Sequence, residues 1–276
     1  MTWVESLTRL DRRWIFLLIG LSVVLPMYFP ITFPERITDQ TQSLFDAMEA
    51  LPEGSVVMIP IDIWPSTIPE TEPMARAAVR HAFRRNLRVV SLSNVGAGGP
   101  SIAERVLREE GAAFGKTYGV DYVNLGYKPD YLAVLSGMGT SIRSIFPADY
   151  SGTPVDSLPI MRGVDSYKDV AFVFAISDNA TIDFWVSIVG ARFGAKIGAG
   201  VTAVMAPKMF AYIDAGQMVG LLGGMKGGAE YEKLLGLPDQ STRGMGAQSL
   251  IHLLIIGFVV LGNVGFFLSK RQVKPV

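Results

Sequence analysis

Hydrophobic positions fall into two kinds of pattern along the chain. Residues 14–33 (WIFLLIGLSVVLPMYFPITF) and 247–269 (AQSLIHLLIIGFVVLGNVGFFLS) are long apolar runs without Asp, Glu, Lys or Arg. A bilayer core of about 30 Å needs about 20 such residues, so both read as transmembrane helices. Between them, short β-rich runs alternate with stretches of helical period. Strands are predicted at 55–63, 87–93, 120–126, 169–177 and 196–205. Helices are predicted at 73–86, 100–115, 131–146 and 181–193, and from Pro207 onward. Ile37, Leu44, Phe45 and Met48 recur at helix period and predict an entry helix within 34–54.

Apolar strands alternating with amphipathic helices imply an α/β fold. The expectation is a Rossmann-like, doubly wound, mostly parallel sheet of about five strands in one domain. The division expected is an interfacial segment at 1–13, a first span at 14–33 and an extracytoplasmic α/β domain at 34–246. A second span at 247–269 and a basic tail at 270–276 complete it. In the first segment Trp3, Leu7 and Leu10 lie at helical spacing, as in a helix lying on a membrane surface. Orientation follows from Arg9, Arg12 and Arg13 before the first span and Lys270, Arg271 and Lys274 after the second. Basic short flanks stay in the cytoplasm, which places both termini there and the middle domain outside.

Composition adds exclusions. The 276 residues are 49% hydrophobic and 18% charged, which excludes a disordered chain. Lys plus Arg and Asp plus Glu balance at 25 each, with the basic excess at the two ends and the acidic excess in the middle. That distribution suits anionic lipid at the ends and argues against nucleic acid. With no cysteine and two histidines, disulfides, thiolate sites and a cysteine nucleophile are excluded; no metal or cofactor is expected.

In an open parallel sheet, ligands bind beyond the carboxyl ends of the strands. The candidates there are Asp62, Trp64, Asn94, Asn124, Lys128, Asp178 and Asn179, a set suited to a small polar ligand such as a sugar or amino acid. Asp and Asn also serve as turn and cap residues, so a structural role competes at each position. Gly96, Gly98 and Gly99 lack the spacing of a phosphate-binding loop and read as a tight turn. Ser101 and Glu104 have the spacing of a capping box. Arg76, Arg80 and Arg84 recur every four residues, joined by Arg85 and Arg88, and read as a solvated helix face with Glu72 paired to Arg76.

Gly216, Gly220, Gly224 and Gly228 recur every four residues. In a helix they would form a bare strip for close packing, against another subunit or against the domain's own sheet; a flexible loop is the third reading. The role expected is a non-catalytic membrane-anchored scaffold or accessory subunit, a homo-oligomer or a member of a larger membrane complex. The alternatives are an extracytoplasmic binding or sensory domain for a small polar ligand, and an anchored hydrolase or transferase using Asp62 or Asp178.

Overall fold

Short runs of Val, Ile, Phe and Leu form seven parallel strands: β1 (Val56–Met58), β2 (Ile61–Asp62), β3 (Arg88–Ser93), β4 (Tyr122–Tyr127), β5 (Phe172–Ser177), β6 (Ile197–Val201) and β7 (Gly220–Gly223). In this computed structural model residues 11–29 and 36–272 are described, and two compact units separate, one of them Arg36–Ser241. The sheet order is β4-β3-β1-β5-β6-β7, with β2 beside β5. Strands β1 and β2 are one strand broken at Pro60, which has no N–H to donate. Ile59 N bonds Val90 O at 2.9 Å and Ile176 N bonds Pro60 O at 2.9 Å, so the chain stays in the sheet across the break. With β1 and β2 taken together, the order is the doubly wound one, reversing between that strand and β5.

Both faces of the sheet are covered. Helices α2 (Asp39–Glu49), α3 (Ile68–Arg84), α4 (Gly99–Ala113) and α9 (Gly224–Leu235) bury Leu44, Met74, Phe83, Ile102 and Tyr231 against one face. The other receives α5 (Tyr131–Met138), α6 (Ile142–Ile145), a long irregular connection and α8 (Ala206–Asp214). It also receives one α-turn, α7 (Thr181–Phe184), running into a π-helix at Trp185–Arg192. Continuous apolar strands are what two covered faces require.

Several expectations need correction. The sheet has seven strands where about five were expected, because the first is broken and the glycine-rich stretch, open between helix and loop, supplies β7. The strand expected at 196–205 ends at Val201, the helix expected at 131–146 is two short ones, and the one at 181–193 is mostly π-helix. Helix α4 begins at Gly99 with Gly98 as its cap, so Ser101 lies inside the helix and no capping box forms. Glu104 instead bonds Asn124 and Arg108.

The four-residue glycine ladder is not one helix. Gly216 is a turn after α8 with φ +69°, Gly220 opens β7, Gly224 joins β7 to α9 with φ +64°, and Gly228 lies within α9. Two of them serve packing inside the domain. A Cβ on Gly220 would lie 2.4 Å from Gln40 O and 2.7 Å from Leu44 N, so α2 crosses β7 with its backbone in near contact. A Cβ on Gly228 would lie 2.4 Å from Ser241 Oγ.

The arginine stripe is packed at Arg76 and Arg80, while Arg84 is exposed, as a solvated face requires. Arg76 is buried and pairs with Glu72 on its own helix and with Glu109 and Glu110 on α4. Arg80 pairs with Glu110 and Asp239, and Arg84 with Glu49. The i,i+4 pair of Glu72 and Arg76 forms as expected. A buried cation must keep its partners, since removing one leaves an uncompensated charge. Behind this network His81 is fully buried, its ring nitrogens 2.6 Å from Tyr231 Oη and 2.8 Å from Glu49 Oε2.

In the other unit, helix α1 (Arg12–Tyr28) is 17 residues long and exposes Trp14, Phe16 and Leu17. Helix α10 (Gln240–Gln272) contains the one stretch among the described residues that is long and apolar enough to cross a bilayer, Gln240–Phe267; its most apolar window is almost wholly unburied. Positions 30–33 of the expected first span, residues 1–10 of the interfacial segment and 273–276 of the tail lie outside the described residues.

Two outcomes follow. Gly220→Ala drives a methyl group into α2 backbone and should destabilise the domain by about 1–3 kcal/mol in urea unfolding. Burial pushes the His81 imidazole down to about 4, against the pull of Glu49. The unfolded chain takes up that proton near the ordinary value of 6.5. The contribution is therefore complete above pH 6.5 and falls by about 3 kcal/mol as pH drops to 4. Urea titrations across that window should show the decline, and His81→Gln should flatten it.

Candidate ligand-binding site at the strand carboxyl ends

The reversal of strand order parts the segments leaving β2 and β5, because α3 and α7 pack on opposite faces of the sheet. Asp62 ends β2 inside this parting and is completely buried. Its carboxylate accepts from Asn94 N at 2.5 Å, Asn94 Nδ2 at 3.0 Å and Trp185 Nε1 at 2.8 Å. Burial raises its pKa, and these donors act in the opposite direction without cancelling the effect. Asn179 Nδ2 donates to Asp62 O at 2.7 Å. One carboxylate and its carbonyl thus join the ends of β2, β3 and β5 to the π-helix.

Asp178 makes a second tie. Its Oδ2 accepts from Trp64 N at 2.8 Å and from the Thr67 hydroxyl, and its Oδ1 accepts from Asn179 Nδ2 at 2.9 Å. Both carboxylates singled out from the sequence are therefore engaged in holding turns.

Above these ties lies an open cleft of about 350 Å³, lined by Trp64, Asn94, Gly96, Tyr127, Tyr131 and Asn179, with Val95, Ala180 and Thr181. Trp64 and Tyr127 are exposed at its mouth. Tyr131 is held by its ring contact with Phe184, centroids 4.8 Å apart. The glycine turn is shaped by packing: a Cβ on Gly96 would lie 2.9 Å from the Tyr127 ring, and one on Gly99 2.1 Å from Ser93 Oγ. Asn94 gives its amide N–H to Asp62, while its Oδ1 is buried without a hydrogen-bond partner. An ionised carboxylate can only accept, so with Asp62 ionised the amide turns its nitrogen toward it.

Volume does not single out the cleft. A groove of about 340 Å³ lies near Lys196 and Gln217, and one of about 400 Å³ beside Arg36 and Lys226. What distinguishes it is its place at the strand-order reversal, its aromatic walls and the unmatched Asn94 acceptor.

Of the seven residues expected, Trp64, Asn94 and Asn179 line the cleft, and Asp62 and Asp178 support it from below. Asn124 does not take part: its amide bonds Pro100 O and Glu104 beneath α4. Lys128 is exposed beyond β4 and does not line the cleft. Tyr131, Thr181 and Trp185 were missed, because nothing local marks a residue of a following helix as facing a strand end.

No protein-family model, curated protein or solved structure matches the chain.

Asp62→Asn turns one acceptor into a donor facing Asn94 or Trp185. The expected loss is about 2–3 kcal/mol of domain stability, with a shifted Trp185 emission. Unchanged unfolding and emission would show that these bonds do not hold the site.

Proposed function

We propose that the chain is a membrane-tethered binding protein whose α/β domain holds a small, neutral, hydroxyl-rich ligand of the sugar class. The observation that carries this reading is the cleft at the strand-order reversal, with aromatic rings opposite amide groups and no charged side chain in its lining. Without a cation the cleft offers a phosphate no counter-charge. Without a free carboxylate it offers none to an ammonium group, which disfavours amino acids. Trp64, Tyr127 and Tyr131 supply flat apolar faces, and Asn94 supplies an acceptor, Oδ1, that has no hydrogen-bond partner within the domain.

The tether belongs to the same proposal. Helix α10 provides one span, and residues 14–33 would provide the second. The basic flanks would keep both termini in the cytoplasm and the domain outside. The scaffold expectation loses one of its supports, since the glycine-lined helix does not form.

The test is a thermal-unfolding screen of the purified full chain against neutral mono- and disaccharides, with amino acids and nucleotides as comparison sets. At a hundredfold excess over Kd, a bound sugar stabilises by about 2.7 kcal/mol. Trp64→Ala, at an exposed position, should weaken binding tenfold or more while leaving the ligand-free stability within about 0.5 kcal/mol. A screen in which no sugar shifts the transition removes this reading.

A further inference from the structure

The domain joins its flanking segments near one edge of the sheet. Helix α2 starts beside the carboxyl end of β7: Thr38 donates its N–H at 3.0 Å and its hydroxyl at 2.6 Å to Glu230 in α9, and shares a groove with Gly223 and Phe210. The incoming chain therefore arrives at the carboxyl edge. The outgoing chain turns back toward it. Asp239 N and Ser241 N both bond Glu232, and the Ser241 side chain lies against Gly228, one turn nearer the start of α9. Helix α9 itself begins at that edge, directly after β7.

The distances to the apolar segments are short. Three residue steps separate positions 33 and 36, a reach of at most about 10 Å. From Ser241 to Ala247 a helix rises about 9 Å.

The same edge carries the domain's exposed apolar side chains. Six of the eight large hydrophobic residues exposed within Arg36–Ser241 lie there: Trp64, Tyr127, Leu132, Tyr150, Val204 and Phe210. Val204, on the turn after β6, is 92% exposed. Single exposed hydrophobics are ordinary; six on the edge where the chain enters from an apolar segment are not. Trp and Tyr, apolar with one polar end, suit the headgroup level of a bilayer. Lys208 and Lys226 are paired with Asp183 and Glu230, and the exposed cations Arg36 and Lys128 are matched in number by the exposed carboxylates Asp39 and Asp130 close to them in the chain, so the edge carries no excess of positive charge to seek an anionic surface.

We propose that the carboxyl edge of the sheet rests on the headgroup layer of the membrane, with Val204 and Phe210 reaching into it and the mouth of the ligand cleft belonging to the same surface. The occupant is the lipid surface itself, zwitterionic rather than anionic. The proposal rests on the tether described above.

The chain has no cysteine, so one fluorophore can be placed at will. Val204→Cys, Val120→Cys at the opposite edge and Leu253→Cys in α10 would each carry a nitrobenzoxadiazole label. The full-length protein would be reconstituted in phosphatidylcholine vesicles with and without doxyl-labelled lipid. The expected result is strong quenching at position 253, at least twofold quenching with a blue shift at 204, and none at 120. Quenching at 253 with 204 indistinguishable from 120 would overturn the proposal while the tether stands. No quenching at 253 would overturn the tether and the proposal with it. Phe210→Cys, labelled in the same way, guards against a local effect of the Val204 replacement and should follow position 204.

Discussion

A carboxylate buried where strand order reverses must find donors, and that demand organises this domain. Asp62 has no water to turn to. It takes the Asn94 backbone and side-chain N–H groups from the end of β3 and the indole N–H of Trp185 from the π-helix, while its own carbonyl receives Asn179 from the end of β5. The donors arrive from two crossovers, Asn94 from the one after β3 and Asn179 and Trp185 from the one after β5. The parting between the two halves of the sheet is thus held at fixed width by groups that lose hydrogen bonds if it opens or shuts. The cleft inherits its geometry from that constraint, and Asn94, oriented by Asp62, is left with an unmatched acceptor.

The opposite problem, burying positive charge, is solved on the outer side of the sheet. Helix α3 lies between α4 and α9, and its arginines meet carboxylates from both directions: Glu109 and Glu110 on α4, Asp239 before α10 and Glu49 at the end of α2. The Arg76 and Arg80 pairs set the spacing of the helices, because these largely buried charges are tolerated only with their partners present. Glycine sets the remaining spacing. At Gly220 the α2 backbone approaches β7 more closely than any side chain allows, which fixes α2 against the start of that strand.

Local pattern alone determined a good part of this protein. The apolar strands at β1, β3, β4, β5 and β6 were legible because a strand covered on both faces is apolar throughout, and that shows in a few consecutive residues. The apolar run inside α10 was legible for the same reason of length and composition. Asp62, Trp64, Asn94, Asp178 and Asn179 were legible as candidates because polar residues just after an apolar strand must lie at its carboxyl end. Strand β7 was not: its four residues, Gly-Leu-Leu-Gly, sit among glycines whose spacing mimics a helical strip. Only pairing with β6 makes them a strand. Asn124 shows the same limit. It carries the same local signal as Asn94, yet β4 is the edge strand, far from the reversal, and its amide turns to α4. Strand order, the acidic partners of the arginines on other elements and the approach of Trp185 to Asp62 all depend on contacts between residues about 20 to 160 positions apart. No window of sequence holds both partners of such a contact, so only the folded chain decides them.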